Sequence, residues 1–131
     1  MRQDFVLALV AGAFATACTL PAVAHHSFAA TFDGEQSIEL TGTVTEIDWR
    51  NPHVWFYVDI ENEQGETENW GFEMGSPNGL IRLGWSRNSL EVGHVVTVSG
   101  ARARDGSRRS SVRTVTLSTG ESLFGARSES K

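Results

Sequence analysis

From Ile38 onward the chain alternates between apolar and polar residues, a period of two that is typical of half-buried β-strands. In the first of these strands the apolar positions are Ile38, Leu40, Gly42 and Val44. The alternation then changes phase, because Ile47 and Trp49 fall on the other parity. We predict a β-bulge near Thr45–Glu46, since a bulge shifts the phase and bends the strand as the wall of a small barrel must bend.

A second and a third strand follow, joined by a hairpin turn at Asn62–Gly65. Their apolar residues share one face: Val54, Phe56, Val58, Ile60, Trp70, Phe72 and Met74. The alternation places the intervening residues on the opposite, outer face: His53, Trp55, Tyr57, Asp59, Asn69, Gly71 and Glu73. Aromatic side chains on this outer face make it a candidate ligand-binding surface.

A short helix is predicted after the third strand, with the serine of Ser76-Pro77 as its N-cap and the proline in its first turn. Two more strands follow, Val95–Ser99 and Val112–Leu117. Three strands, a short helix and two strands is the order of the oligonucleotide/oligosaccharide-binding (OB) fold. We therefore predict an all-β domain with one short helix, a five-stranded OB-like Greek-key barrel over residues 38–124, followed by a disordered tail at residues 125–131.

The first 24 residues have the layout of a secretory signal peptide. A charged head precedes the apolar run Phe5–Leu20, which is too short and too rich in glycine and alanine to be a good membrane span. The small residues Ala22 and Ala24 predict cleavage after Ala24. The mature protein is then expected in the periplasm or outside the cell, without a transmembrane segment. A minor alternative is a lipoprotein anchored through Cys18.

After cleavage the chain holds no cysteine and therefore no disulfide, and its length suits one domain. The formal net charge of −5 argues against nucleic acid as a partner. The charges are segregated: eleven acidic residues lie between Asp33 and Glu73, and seven arginines lie between Arg82 and Arg113. The favoured interpretation is complementary charge on neighbouring strands. The alternative is a basic face for an anionic ligand.

Several motifs resemble those of a small exported bacterial family that is catalogued as a domain of unknown function. They are His25-His26-Ser27-Phe28, Asn51-Pro52-His53, and Gly75-Ser76-Pro77-Asn78-Gly79-Leu80 followed by Gly84-Trp85. The resemblance extends over essentially the whole mature chain. It implies an exported, periplasmic protein of the barrel type, and it implies no established activity.

Cleavage after Ala24 would make His25 the first residue, so that its α-amino group and its imidazole can chelate a metal together. The ring of His53 or of His26 would supply a third nitrogen. Nitrogen donors in a plane favour Cu(II), which also has the highest affinity among divalent first-row ions, and zinc is the weaker alternative. Three polar residues are candidates to orient a coordinated imidazole by hydrogen bonding: Asp48, Asn51 and Asp59.

Residues 25–37 are predicted to form an N-terminal arm that precedes the barrel. If the arm runs back antiparallel to the first strand, its length lets His25 reach the turn that carries His53. The two phenylalanines of the arm would then cover the aromatic residues of the outer face, because an exposed aromatic patch on a monomer needs an explanation.

Two functional hypotheses follow. The first is an exported copper-binding module that uses His25, His26 and His53. The second is a binding module for a small organic ligand or a periplasmic partner protein, without metal, on the outer face of the second and third strands. Its candidate contacts are Trp55, Tyr57, Asn69 and Glu73. A copper redox enzyme is a third, weaker hypothesis. No recognisable nucleophile or phosphate-binding motif is present, so the sequence identifies no catalytic residue.

Overall fold

The computed structural model describes residues 28–125. The chain divides into two compact units, residues 1–30 and residues 31–131. In the first unit, residues 28–30 are described and are helical. The signal peptide predicted for residues 1–24 lies outside the described residues, as does the beginning of the predicted arm. The second unit contains the β-domain.

Six strands and one short helix make up the described part of the second unit: β1 (Phe32–Asp48), β2 (Trp55–Glu61), β3 (Thr67–Glu73), α1 (Pro77–Arg82), β4 (Val95–Ala103), β5 (Arg109–Leu117) and β6 (Ser122–Phe124). The strand order is β3-β2-β1-β4-β5-β6, and β3 also pairs in parallel with β5. This additional pairing closes the first five strands into a barrel. The predicted all-β, OB-like barrel with one short helix is confirmed.

β1 is a long, bent strand that pairs first with β4 and then with β2. Its register against β2 shifts between Val44 and Glu46, which leaves Thr45 as the extra residue of a β-bulge. The bulge therefore lies where the change of phase predicts it. Val44 is 1% exposed and Ile47 packs against the core, so the apolar side chains face inward on both sides of the bulge.

β1 begins at Phe32, six residues before the alternating pattern starts. Phe32 pairs with Ala103 of β4, and its ring is buried against Ala101 and Ala103. Residues 32–37, which the sequence assigns to the arm, thus extend β1 along β4 and do not run back along β1. Burial of the Phe32 ring favours this arrangement, because an aromatic side chain gains roughly 1.5–3 kcal/mol when it leaves water.

The inner face of β2 and β3 is the one that the alternation predicts. All seven apolar residues on it are at most 7% exposed: Val54, Phe56, Val58, Ile60, Trp70, Phe72 and Met74. The rings of Phe56 and Phe72 stack with their centroids 5.3 Å apart. The interleaved residues of both strands must therefore face outward, and this outward side carries the candidate site.

Helix α1 begins as predicted, because the Ser76 hydroxyl accepts a hydrogen bond from the backbone N–H of Gly79 at 3.2 Å. The helix contributes Leu80, which is fully buried, to the hydrophobic core. Gly84 follows at a φ of 97°, a value that glycine adopts at little cost, and directs Trp85 into the core.

The structure adds β6 to the five predicted strands. β6 pairs antiparallel with the end of β5, and the N–H of Gly125 then donates to the Arg113 carbonyl at 3.0 Å. The carbonyl of Gly125 accepts the N–H of Gly75 at 2.8 Å. Gly125, the first residue of the predicted tail, is therefore part of the barrel wall, and residues 126–131 lie outside the described residues.

Candidate functional site

An outward surface on β1, β2 and β3 carries most of the predicted ligand contacts. The register places Asp48, Trp55 and Glu73 in one row across the three strands. Directly paired residues of a sheet share a face and lie within side-chain contact distance. We call this surface the acid–aromatic face; its members are Glu46, Asp48, Trp55, Tyr57, Asp59, Asn69, Gly71 and Glu73.

His53 lies at the edge of the acid–aromatic face, in the loop between β1 and β2. Its Nδ1 forms a hydrogen bond with Oε1 of Glu73. The Glu73 side chain is 19% exposed and that of His53 is 50% exposed, so the partly buried carboxylate holds the ring from one side. Nε2, on the opposite side of the ring, has no hydrogen bond within residues 28–125. A ring oriented through one nitrogen can bind an incoming ligand through the other.

None of the three residues predicted to orient the imidazole forms a hydrogen bond with the His53 ring in the described part of the chain. Asp48 forms an ion pair with Arg50 at 2.5 Å, and this hydrogen bond, together with the charge of Asp48, raises the pKa of the Arg50 guanidinium. Asp59 accepts a hydrogen bond from Asn69, and Asn51 is exposed. Among the described side chains, Glu73 forms the hydrogen bond to the imidazole that we predicted for Asp48, Asn51 or Asp59.

Trp55 and Tyr57 pack over the backbone of β3 at Gly71. A Cβ placed on Gly71 would lie 3.3 Å from Cε1 of Tyr57 and 3.6 Å from Cζ3 of Trp55. Because glycine has no side chain, the two rings can lie this close to the neighbouring strand. Gly71 is buried, whereas both rings stay partly exposed. The structure thus has two neighbouring aromatic rings that pack on one side against the backbone of β3 and are partly exposed on the other.

Asn69 fixes the other end of the acid–aromatic face. Its Nδ2 donates to Oδ1 of Asp59 at 2.8 Å and to Oγ1 of Thr45 at 3.1 Å. The bulged residue of β1 is thereby tied to β3 across β2. This network restrains Asp59 and leaves its carboxylate with an amide donor and no cationic partner among the described side chains.

Of the predicted metal ligands, His53 is described, whereas His25 and His26 lie outside the described residues. Within residues 28–125 no group of three or more His, Cys, Asp or Glu side chains is placed to hold a metal ion. The other described histidine, His94, lies in the loop before β4, where its Nδ1 accepts the N–H of Glu91 at 3.3 Å. Nε2 of His94 lies 3.9 Å from a Glu91 carboxylate oxygen, beyond hydrogen-bond distance. His53 is therefore the described histidine whose ring is hydrogen-bonded to a carboxylate, and it needs donors from elsewhere to complete a metal site.

Three of the seven arginines between Arg82 and Arg113 form ion pairs with described carboxylates. Three ion pairs surround the loop between β4 and β5: Asp33–Arg104 (3.4 Å), Glu68–Arg108 (3.1 Å) and Asp105–Arg109 (2.9 Å). The guanidinium of Arg102 lies over the Trp70 ring, 5.7 Å from its centroid. These contacts favour complementary charge between neighbouring strands over a basic face for an anionic ligand.

No helix in the described range 28–125 combines the length and hydrophobicity needed to cross a membrane. The model of a family described as "Family of unknown function (DUF6152)" matches residues 13–112, and the chain belongs to that family. No curated protein matches the chain.

Among solved structures, the chain is similar to the mitochondrial single-stranded DNA binding protein Rim1 from S. cerevisiae. The TM-score is 0.50 at 12% sequence identity, and the match covers 63% of this chain and 93% of that chain. At this identity the likeness shows the OB fold and nothing about ligands.

Proposed function

We propose that this member of the DUF6152 family is exported and binds Cu(II) through His53 and the histidine that processing exposes. Cleavage after Ala24 would make His25 the first residue, and its α-amine and ring would be two donors. The ring of His53 would be the third, with His26 as its alternative. The compartment is then the periplasm or the cell exterior. The observation that carries this proposal is the contact between His53 and Glu73.

A histidine that binds a metal usually donates its second ring N–H to a carboxylate or carbonyl, which sets the tautomer and the direction of the ring. His53 has this arrangement, because Glu73 occupies Nδ1 and the ring is half exposed. The backbone of Glu73 is fixed in turn, because this residue lies in β3 and pairs with Trp55 of β2. The contact with Glu73 therefore orients the His53 ring through Nδ1 and leaves Nε2 without a hydrogen bond within residues 28–125.

The α-amine suits this role, since its pKa of about 7.7–8.0 in peptides lets a metal displace the proton near neutral pH. An amine and a ring on the same residue form a chelate, which an internal histidine cannot offer. Copper is preferred over zinc because nitrogen donors in a plane match Cu(II) geometry and because Cu(II) has the higher affinity.

The residues before β1 are long enough for His25 to reach His53. The path crosses β4, β5 and β3 to reach β2, and does not run back along β1. A series of cross-strand pairs leads from the start of β1 to β2: Asp33–Arg102, Arg102–Ser110, Ser110–Phe72 and Phe72–Phe56. Four steps of ~4.8 Å and three further residues to His53 make a path of roughly 29 Å. The eight residues from His25 to Asp33 span at most about 29 Å when extended. The proposal therefore requires the helical residues 28–31 to extend after processing.

Titration of Cu(II) into the mature chain tests the proposal. We expect one tightly bound ion per chain when the chain begins at His25. A chain whose His25 α-amine is acetylated should bind at least ~10-fold more weakly, because it lacks the chelating amine. His53→Ala should weaken binding, whereas His94→Ala, which removes a similarly exposed ring, should change the affinity less than about twofold. Equal affinities for all four chains would contradict the proposal.

A second candidate function is the binding of an organic ligand or a partner protein on the acid–aromatic face, with the histidines incidental. The packing of Trp55 and Tyr57 over Gly71 favours it, because the rings are held in place while one side of each stays accessible. Trp55→Ala distinguishes the two functions: it should abolish ligand binding on this face and leave the copper affinity of the mature chain within about twofold.

A further inference from the structure

We propose that the acid–aromatic face binds an extended cationic segment of a partner protein, with arginine or lysine at alternate positions. This inference rests on the second candidate function and states the chemistry of its ligand. Four carboxylates lie on the face: Glu46, Asp48, Asp59 and Glu73. Asp48 is paired with Arg50 and Glu73 with His53, whereas Glu46 and Asp59 have no cationic hydrogen-bond or ion-pair partner within residues 28–125. The face is therefore negative around its two rings.

The rings and the carboxylates are placed to act on the same cation. Trp55 lies between Asp48 and Glu73 in the register, and Tyr57 lies opposite Glu46. A guanidinium or ammonium group over an aromatic ring is attracted by the ring's negative face. Here the same group would also lie within reach of a carboxylate on the neighbouring strand, because paired side chains are about 5 Å apart.

The spacing of the face favours a polypeptide. Trp55, Tyr57 and Asp59 alternate along β2, so the rows recur at ~6.6–7 Å. Side chains on one side of an extended peptide recur at the same interval. β2 is hydrogen-bonded to β1 on one edge and to β3 on the other, so the partner cannot add a strand beside β2. It would lie across the face and be held by its side chains.

Charge complementarity also favours a cationic peptide over a nucleic acid as the ligand of this face. Phosphate groups laid along the acid–aromatic face would meet the carboxylates of Glu46, Asp59 and Glu73, and Arg50, the cation beside Glu46, is already bound to Asp48. The nearest arginine on β5 is Arg109, paired in register with Gly71, and its guanidinium is bound to Asp105 and Ser107. A single strand of DNA is thus repelled where a cationic peptide is attracted.

Binding of three short probes to the mature chain, with a metal chelator present, tests this inference. The probe of matching spacing is acetyl-Arg-Gly-Arg-Gly-Arg-amide, spermidine carries the same charge without that spacing, and cellohexaose is a neutral ligand able to stack on aromatic rings. We expect the peptide to bind more tightly than the other two. Its affinity should fall at least about fivefold between ~50 and ~300 mM NaCl, because screening weakens exposed ion pairs.

Variants then locate the binding. Trp55→Ala, and separately Glu46→Gln combined with Asp59→Asn, should each weaken peptide binding at least about fivefold. Glu39→Gln is the matched control: it removes an exposed carboxylate from the same strand, where β1 pairs with β4, and should change affinity less than twofold.

Three outcomes would overturn the inference. One is peptide binding that is absent or insensitive to Trp55→Ala. Another is spermidine bound as tightly as the peptide, which would make spacing irrelevant. A third is cellohexaose bound in preference, with loss in Trp55→Ala, which would keep the second candidate function and reject the cationic partner.

Discussion

At the scale of single residues, the proposed metal site depends on which carboxylate holds His53. The alternation of β2 and β3 puts His53 and Glu73 on one face, and counting back from the turn at Asn62–Gly65 brings them to the same end of the hairpin. The sequence alone cannot select Glu73, because Asp48 and Asp59 share that face. Side-chain hydrogen bonds decide among them, since Asp48 is held by an arginine and Asp59 by an amide.

Glu73→Gln should weaken Cu(II) binding by the mature chain about 10- to 100-fold, because the loss of a carboxylate behind a metal-bound imidazole typically has this effect. Asp48→Asn is the control, since Asp48 lies in the same row across the strands but contacts Arg50. It should change the copper affinity less than about twofold. Calorimetric titration of both variants checks this prediction, and similar losses in the two would contradict the role of Glu73.

At the scale of elements, periodicity predicts the inner strands well and the ends of the sheet poorly. The bulge at Thr45, the hairpin and α1 all have local sequence patterns, and the structure places them where those patterns occur. The start of β1 has no such pattern, because residues 33–37 are polar or glycine. Among them Asp33 and Ser37 pair with β4, on either side of a register shift and through contacts distant in sequence. β6 has three residues, which is too short for a period to be detected.

Gly42 lies where β1 changes its partner from β4 to β2, and the strands approach closely there. A Cβ at this position would lie 2.1 Å from the carbonyl oxygen of Asp59. Gly42→Ala should therefore destabilise the barrel by about 1–3 kcal/mol, since the backbone must move. Urea unfolding measures this change. Gly34→Ala is the control: nothing lies within 4 Å of its Cβ, so its effect should stay within about 0.5 kcal/mol. Equal stability of the two variants would contradict the close approach.

At the scale of the whole molecule, the segregated charges along the sequence are brought together by the fold. The acidic first half and the arginine-rich second half meet near the loop between β4 and β5, where Asp33 pairs with Arg104 and Glu68 pairs with Arg108. These two contacts favour complementary charge on neighbouring strands, as the segregation of charge in the sequence predicts. The acid–aromatic face retains an excess of negative charge.

The stability of the domain should fall in acid partly because of this loop. Hydrogen bonds from the side chain and backbone of Ser107 lower the pKa of Asp105 to about 2, with help from Arg109. A carboxylate with a depressed pKa in the folded state stabilises the fold above its ordinary value of 3.8, and that contribution is lost as the pH falls toward about 2. Unfolding measured between about pH 5 and 2 should show a shallower decline for Asp105→Asn than for the unmodified chain. Identical slopes would contradict this assignment.

Electron paramagnetic resonance of the mature chain loaded with one equivalent of Cu(II) tests the central claim most directly. We predict a spectrum of a planar site with three nitrogen donors, from the α-amine and ring of His25 and the ring of His53. His53→Ala should change the nitrogen couplings, and His94→Ala should leave them unchanged. A spectrum that His53→Ala does not alter would show that the ring oriented by Glu73 takes no part in binding the metal.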